Sequence, residues 1–186
     1  MRTGRNNKNG GFSLVEMIIV IAIMAIVVGI MGLSVGMLTG RKTTKCADEI
    51  ISTIERTRVL TLGKEQNAVE CLLTYNGTTG EYRAQIYQSG TLVSDRVVGK
   101  DPIQIHVYFD NDPTPYELKD LKGTLPYASD TEGLHLVFNR SSGAFEEKTC
   151  AANGTTKDYC KKIVITNGTR TIEITTVGRT GKILKN

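Results

Sequence analysis

The chain has 186 residues, 40% of them hydrophobic, and a formal net charge of +4, which suits one globular unit plus a membrane segment and excludes two packed cores. Arg2, Arg5 and Lys8 fall in the first eleven positions, so from Phe12 onward only 20 of the 23 Lys and Arg remain against 19 Asp and Glu. That near balance excludes a general nucleic-acid-binding surface, and any such activity would need a local patch.

The first element is an apolar helix. Met17 to Leu33 carries no charge, and extension to Leu38 adds only Ser34 among polar side chains, so a transmembrane half over about 14–38 is expected. The basic leader before it keeps the amino end cytoplasmic and sends the rest across. A secretory signal peptide would have a shorter apolar core and a clean small-x-small site after it; a plain signal anchor stays as an alternative. Gly29, Gly32 and Gly36 are candidates for close helix packing, with Gly32, Gly36 and Gly40 at four-residue spacing; the alternative is that membrane helices simply tolerate glycine. One residue is out of place. Glu16 stands at the mouth of the run, where an unpaired carboxylate carried into hydrocarbon would cost about 2.5 to 3.5 kcal/mol.

No proline occurs before Pro102, and Cys46, Ala47, Ile50, Ile51 and Ile54 keep an i, i+3, i+4 rhythm between charged residues. One helix is therefore expected over 12–62, apolar all round in its first half and amphipathic in its second, ending at Gly63.

From residue 63 to 186 the period changes to two. The runs VECLLTY (69–75), EYRAQIYQ (81–88), IQIHVYF (103–109) and LHLVF (134–138) read as strands between turn residues. KKIVIT and TRTIEITT flank Asn167-Gly168, a pair suited to a two-residue hairpin. Three of the four prolines lie in 110–133, which reads as a long surface loop.

Four cysteines follow the apolar run, and an even count in an exported segment points to disulfides. Cys150 and Cys160 would close a short loop, stabilising it by roughly 2 to 3 kcal/mol. Cys46 and Cys71 then pair by elimination, although Cys46 lies about 24 Å below the helix end, so the returning strand must run nearly extended. There is no Cys-x-x-Cys, and His106 and His135 stand alone in strand-like runs, so no metal site is expected. No G-x-S-x-G, phosphate loop or H-E-x-x-H occurs, so neither a catalytic residue nor a cofactor is assigned. Asn76, Asn139, Asn153 and Asn167 each open an Asn-x-Ser/Thr triplet, which turns explain as well as glycans.

Taken together, Gly11-Phe12-Ser13-Leu14-Val15-Glu16, the short basic leader before it and the apolar helix after it resemble the processing site of type IV pilins and pseudopilins. The resemblance implies a cleaved leader over 1–11, cut by prepilin peptidase after Gly11 rather than Gly10, with methylation of the new amine on Phe12. It places Glu16 fifth in the mature chain, where the family keeps its glutamate. An incoming amine set against the Glu16 of an assembled subunit would neutralise two charges that neither could bury alone. Otherwise Glu16 snorkels, or meets its own amine one turn away. The membrane-half proline of many family members is missing here.

The resemblance also implies an α+β, pilin-like fold with the long helix packed on an antiparallel β-sheet domain. Implied partners are prepilin peptidase, other pilin or pseudopilin subunits, an inner-membrane assembly platform, and membrane lipid before assembly. The chain would sit in the cytoplasmic membrane as a single-pass protein, its carboxy-terminal domain extracytoplasmic, and then in a pilus or pseudopilus. Residues 54–73, 134–145 and 172–184 are similar in pattern to general secretion pathway protein H and the fimbrial T-type minor pilins, which implies a minor subunit. In some of those relatives a basic carboxy-terminal segment serves DNA uptake, and Arg179, Lys182 and Lys185 occupy the similar place; lysines guarding an edge strand are the plainer account. A lone signal-anchored adhesin would use the same span without assembling.

Overall fold

The computed structural model describes residues 12–63, 69–110, 112–121, 133–146, 150–152, 155–157 and 159–186, with the side chains of 31–39 and 150–157 outside the description. The chain divides into two compact units, 1–38 and 39–186.

The helix α1, Leu14–Gly63, begins in the first unit. Its large apolar side chains from Leu14 to Ile30 are all exposed, from 43% at Val27 to 76% at Leu14, because a helix apolar on every side has nothing in its own unit to pack against. Among the described residues no helix is long and apolar enough to cross a membrane. The span expected over about 14–38 takes in positions whose side chains lie outside the description.

In the second unit α1 is amphipathic. Thr43, Cys46, Ala47, Ile50, Thr53, Ile54, Thr57 and Thr61 are buried, at the three- and four-residue spacing that draws one stripe on a helix. Three threonines in that stripe are tolerated because their hydroxyls are satisfied within the helix. Thr53, Thr57 and Thr61 donate to the carbonyls of Glu49, Thr53 and Thr57 at 2.8, 2.8 and 2.9 Å, so none of these three hydroxyls is buried without a partner.

The strands that follow are β1 Val69–Asn76, β2 Glu81–Gln88, β3 Thr91–Lys100, β4 Gln104–Phe109, β5 Asp112–Glu117, β6 Leu134–Val137, β7 Cys150–Ala152, β8 Thr155–Lys157, β9 Cys160–Thr166, β10 Thr171–Val177 and β11 Lys182–Lys185. They form a four-stranded sheet in the order β3-β2-β1-β6, a five-stranded sheet in the order β11-β10-β9-β4-β5, and the pair β7-β8. All pairings are antiparallel. The fold is therefore α+β. The helix stripe shares one core with Leu73 and Ala84 of the first sheet and Ile105, Val107, Ile163, Ile165 and Ile174 of the second.

Two expectations are corrected. The stretch 110–133 is not simply a loop: Asp112–Glu117 forms β5, followed by a 3-10 turn at Leu118–Asp120, and Leu118 and Leu121 are buried. Its prolines are compatible with a strand because β5 is the edge of its sheet, where a missing N–H need not break a ladder. In the β9–β10 hairpin, Asn167 is not at the tip. Its N–H donates to the carbonyl of Arg170 at 3.3 Å, and its Oδ1 accepts from the N–H groups of Thr169 and Arg170 at 3.0 and 2.8 Å. The tip is Gly168-Thr169, with Gly168 at φ +81° taking the left-handed conformation that glycine alone adopts at no steric cost.

Candidate processing and assembly site

At the amino end, Gly11 lies outside the described residues and Phe12 is 78% exposed. Ser13 stands just before the first helical residue: its Oγ accepts the N–H of Val15 at 3.3 Å and its carbonyl accepts that of Met17 at 3.2 Å. Glu16 follows three residues later as the acid of the first turn. Ser-x-x-Glu is the spacing of a capping box, and a carboxylate in the first turn is stabilised by the unpaired N–H groups there, worth about 0.3 to 1 kcal/mol. Glu16 thus has a favourable place at its own helix end. Gly29 is open on its helix surface, with nothing within 4 Å of where a Cβ would stand. The surroundings of Gly32 and Gly36 lie outside the description.

The cysteines separate into different neighbourhoods. Cys46 and Cys71 are buried free thiols, so the bridge expected between them is not made. Cys46 faces β3, where a Cβ on Gly99 would come within 3.0 Å of its Sγ. Cys71 instead lies beside the hydroxyl of Thr57, eleven residues and so about 16 Å farther along the helix axis. Burial pushes both thiols up to about 12. Cys160 is buried at the start of β9; its expected pairing with Cys150 falls outside the described residues.

The three carboxy-terminal bases do not form a patch. Arg179 is exposed in the turn after β10, and Lys182 and Lys185, three positions apart on β11, point to opposite faces of the strand. Lys185 is also committed, its Nζ lying 2.6 Å from Oδ1 of Asp48 on α1.

A different set of bases does converge. Arg41, Lys45, Asp48, Glu49, Arg96 and Arg170 line a groove of about 680 Å³ between α1, β3 and the β9–β10 hairpin. Glu49 pairs with Arg96 at 3.5 Å and Asp48 with Lys185, so the acids of the groove are neutralised. Among the described residues Arg41, Lys45 and Arg170 have no acidic partner. The sequence signal was present in Arg41-Lys42-Thr43-Thr44-Lys45, directly after the apolar run, but Arg170 could be added only by the fold.

The remaining candidates are structural. His106 on β4 faces Glu117 of β5, Nε2 to Oε1 3.8 Å, and His135 is fully buried in β6. Asn76 and Asn139, like Asn167, open turns: Oδ1 of Asn76 accepts from the N–H groups of Thr78 and Thr79, and that of Asn139 from Ser141 and Ser142. Asn153 lies outside the described residues. Among the described residues no group of three or more His, Cys, Asp or Glu could hold a metal ion.

Residues 6–32 match the family described as the Prokaryotic N-terminal methylation motif. The match contains Gly11, Phe12 and Glu16, so the amino-terminal segment is a type IV pilin-like prepilin signal. No curated protein and no solved structure matches the chain.

Proposed function

We propose that this carrier of a prepilin signal is a minor pilin or pseudopilin, a structural subunit of a type IV pilus or of a type II secretion pseudopilus. The observation that carries the reading is the methylation motif over residues 6–32, joined to a helix that starts at Leu14 and enters a β-rich domain. Prepilin peptidase cuts between Gly11 and Phe12, the amine of Phe12 is methylated, and residues 1–11 leave. Residues 12–62 then serve as the long helix, with about 14–38 in the cytoplasmic membrane, and 63–186 as the extracytoplasmic domain. During assembly the Phe12 amine of one subunit meets Glu16 of another, and Gly29, Gly32 and Gly36 let apolar helices approach closely. The minor role is supported by the pattern similarity to general secretion pathway protein H and the fimbrial T-type minor pilins, and the partners are other pilin subunits and the inner-membrane assembly platform.

Intact-mass analysis of the protein from its native host tests this reading. The expected mass lacks residues 1–11 and carries one methyl group on Phe12; an intact leader would reduce the chain to an ordinary signal anchor.

A further inference from the structure

The groove on the second unit holds three bases whose charge no described residue answers. Arg41 and Lys45 are exposed on α1, within two helical turns of Leu38, where the apolar run ends. Arg170 comes from the β9–β10 hairpin, and its stem lies on the helix at Gly40: a Cβ there would meet Cδ of Arg170 at 3.6 Å and Nη1 at 4.0 Å. These are ordinary van der Waals distances, so the arginine stem packs along the helix at this point. Thr44 does not compete for a ligand, since its hydroxyl donates to the carbonyl of Gly40 at 3.1 Å. The acids nearby are occupied, Glu49 by Arg96 and Asp48 by Lys185.

We infer that Arg41, Lys45 and Arg170 form a binding site for the phosphate of an anionic phospholipid headgroup. The inference rests on the reading of about 14–38 as a membrane span, because a headgroup layer begins where that apolar segment stops. Two guanidinium groups and an ammonium offer donors matched to phosphate oxygens, and arginine binds such oxygens in a bidentate fashion. Clustered bases beside a membrane segment attract anionic lipid with an additive contribution from each charge. The site would hold an anionic lipid on the unassembled subunit through a hairpin that the sequence places 130 positions from the helix it touches.

The experiment uses the full chain in neutral detergent, titrated with phosphatidylglycerol or phosphatidylcholine, with retained lipid read by native mass spectrometry. Flotation of the same protein with vesicles after an alkaline wash reports the span separately. Phosphatidylglycerol should be retained in preference to phosphatidylcholine, and Arg170→Gln and the pair Arg41→Gln with Lys45→Gln should each lower that preference, by about five-fold per charge removed. Arg56→Gln, an exposed base outside the groove, should leave it unchanged, and all variants should float. Equal retention of the two lipids would overturn the proposal, as would a preference that survives the groove variants. Displacement of the lipid by inorganic phosphate at equal concentration would mark a free-anion site, and stronger retention of a DNA oligonucleotide a nucleic-acid site; either overturns the lipid assignment. Failure to float would overturn the span instead, while retention in detergent still decides the site.

Discussion

Arg58 on α1 donates through Nε to the carbonyl of Gly143 at 3.0 Å and through Nη2 to that of Thr180 at 2.9 Å. One guanidinium thus ties the helix to the turn after β6 and to the turn between β10 and β11. Gly181 makes the close approach, at φ +63°: a Cβ there would stand 1.9 Å from the Gly143 oxygen and 2.9 Å from Nε of Arg58.

Gly181→Ala should therefore lower the stability of the domain by about 2 kcal/mol or more, since it adds left-handed strain to a clash with backbone. Arg58→Ala should cost about 2 kcal/mol through loss of two charge-assisted hydrogen bonds. Urea unfolding of the full chain in detergent measures both, and wild-type midpoints would contradict the junction.

Glu70 on β1 is 1% exposed, and neither carboxylate oxygen has a hydrogen-bond partner among the described residues. Burial pushes its carboxyl from 4.5 up to about 7. Between those values the folded state holds a proton that the unfolded chain has lost, so stability is highest below pH 4.5 for this group, falls as pH rises to about 7, and is then level. The total decline is about 3 kcal/mol. Glu70→Gln should flatten the slope and raise stability at about pH 8 by roughly 2 kcal/mol; unfolding free energies across the pH range provide the check.

Cys46 and Cys71 should remain reduced in exported protein. Their depth and raised pKa values predict no alkylation by iodoacetamide until the chain unfolds, when both label. Non-reducing peptide mapping that found them linked would refute the two separate neighbourhoods.

Glu16→Ala should impair incorporation into filaments while leaving cleavage at Gly11 intact, because the Phe12 amine would enter the bundle of apolar helices without a partner, a cost of about 3 to 5 kcal/mol. Glu16→Asp should retain part of the incorporation. Subunit content of sheared filaments by immunoblot reads the effect, and normal incorporation of Glu16→Ala would remove the pairing.

The sequence by itself determined what depends on neighbours in the chain. The prepilin signal is six adjacent residues before an apolar run; the stripe of α1 is a period of three and four; β2 is legible as Glu81–Gln88 because alternation is a property of one strand. Even the Ser13 hydrogen bond to Val15 and the place of Glu16 in the first turn of α1 are matters of local spacing. Tertiary structure alone decided which elements meet. Asp112–Glu117, with two prolines, has no intrinsic strand signature and becomes one only because β4 offers it an edge. Cys71 meets Thr57 and not Cys46 because β1 pairs in a register that an even count of cysteines does not encode. Lys185 was spent on Asp48, and Arg170 was brought to Gly40, by closure of loops more than a hundred residues long. Such closure changes free energy only slowly with length, so it leaves no periodic trace in the sequence. The partner of a residue is then set by the packing of the whole core.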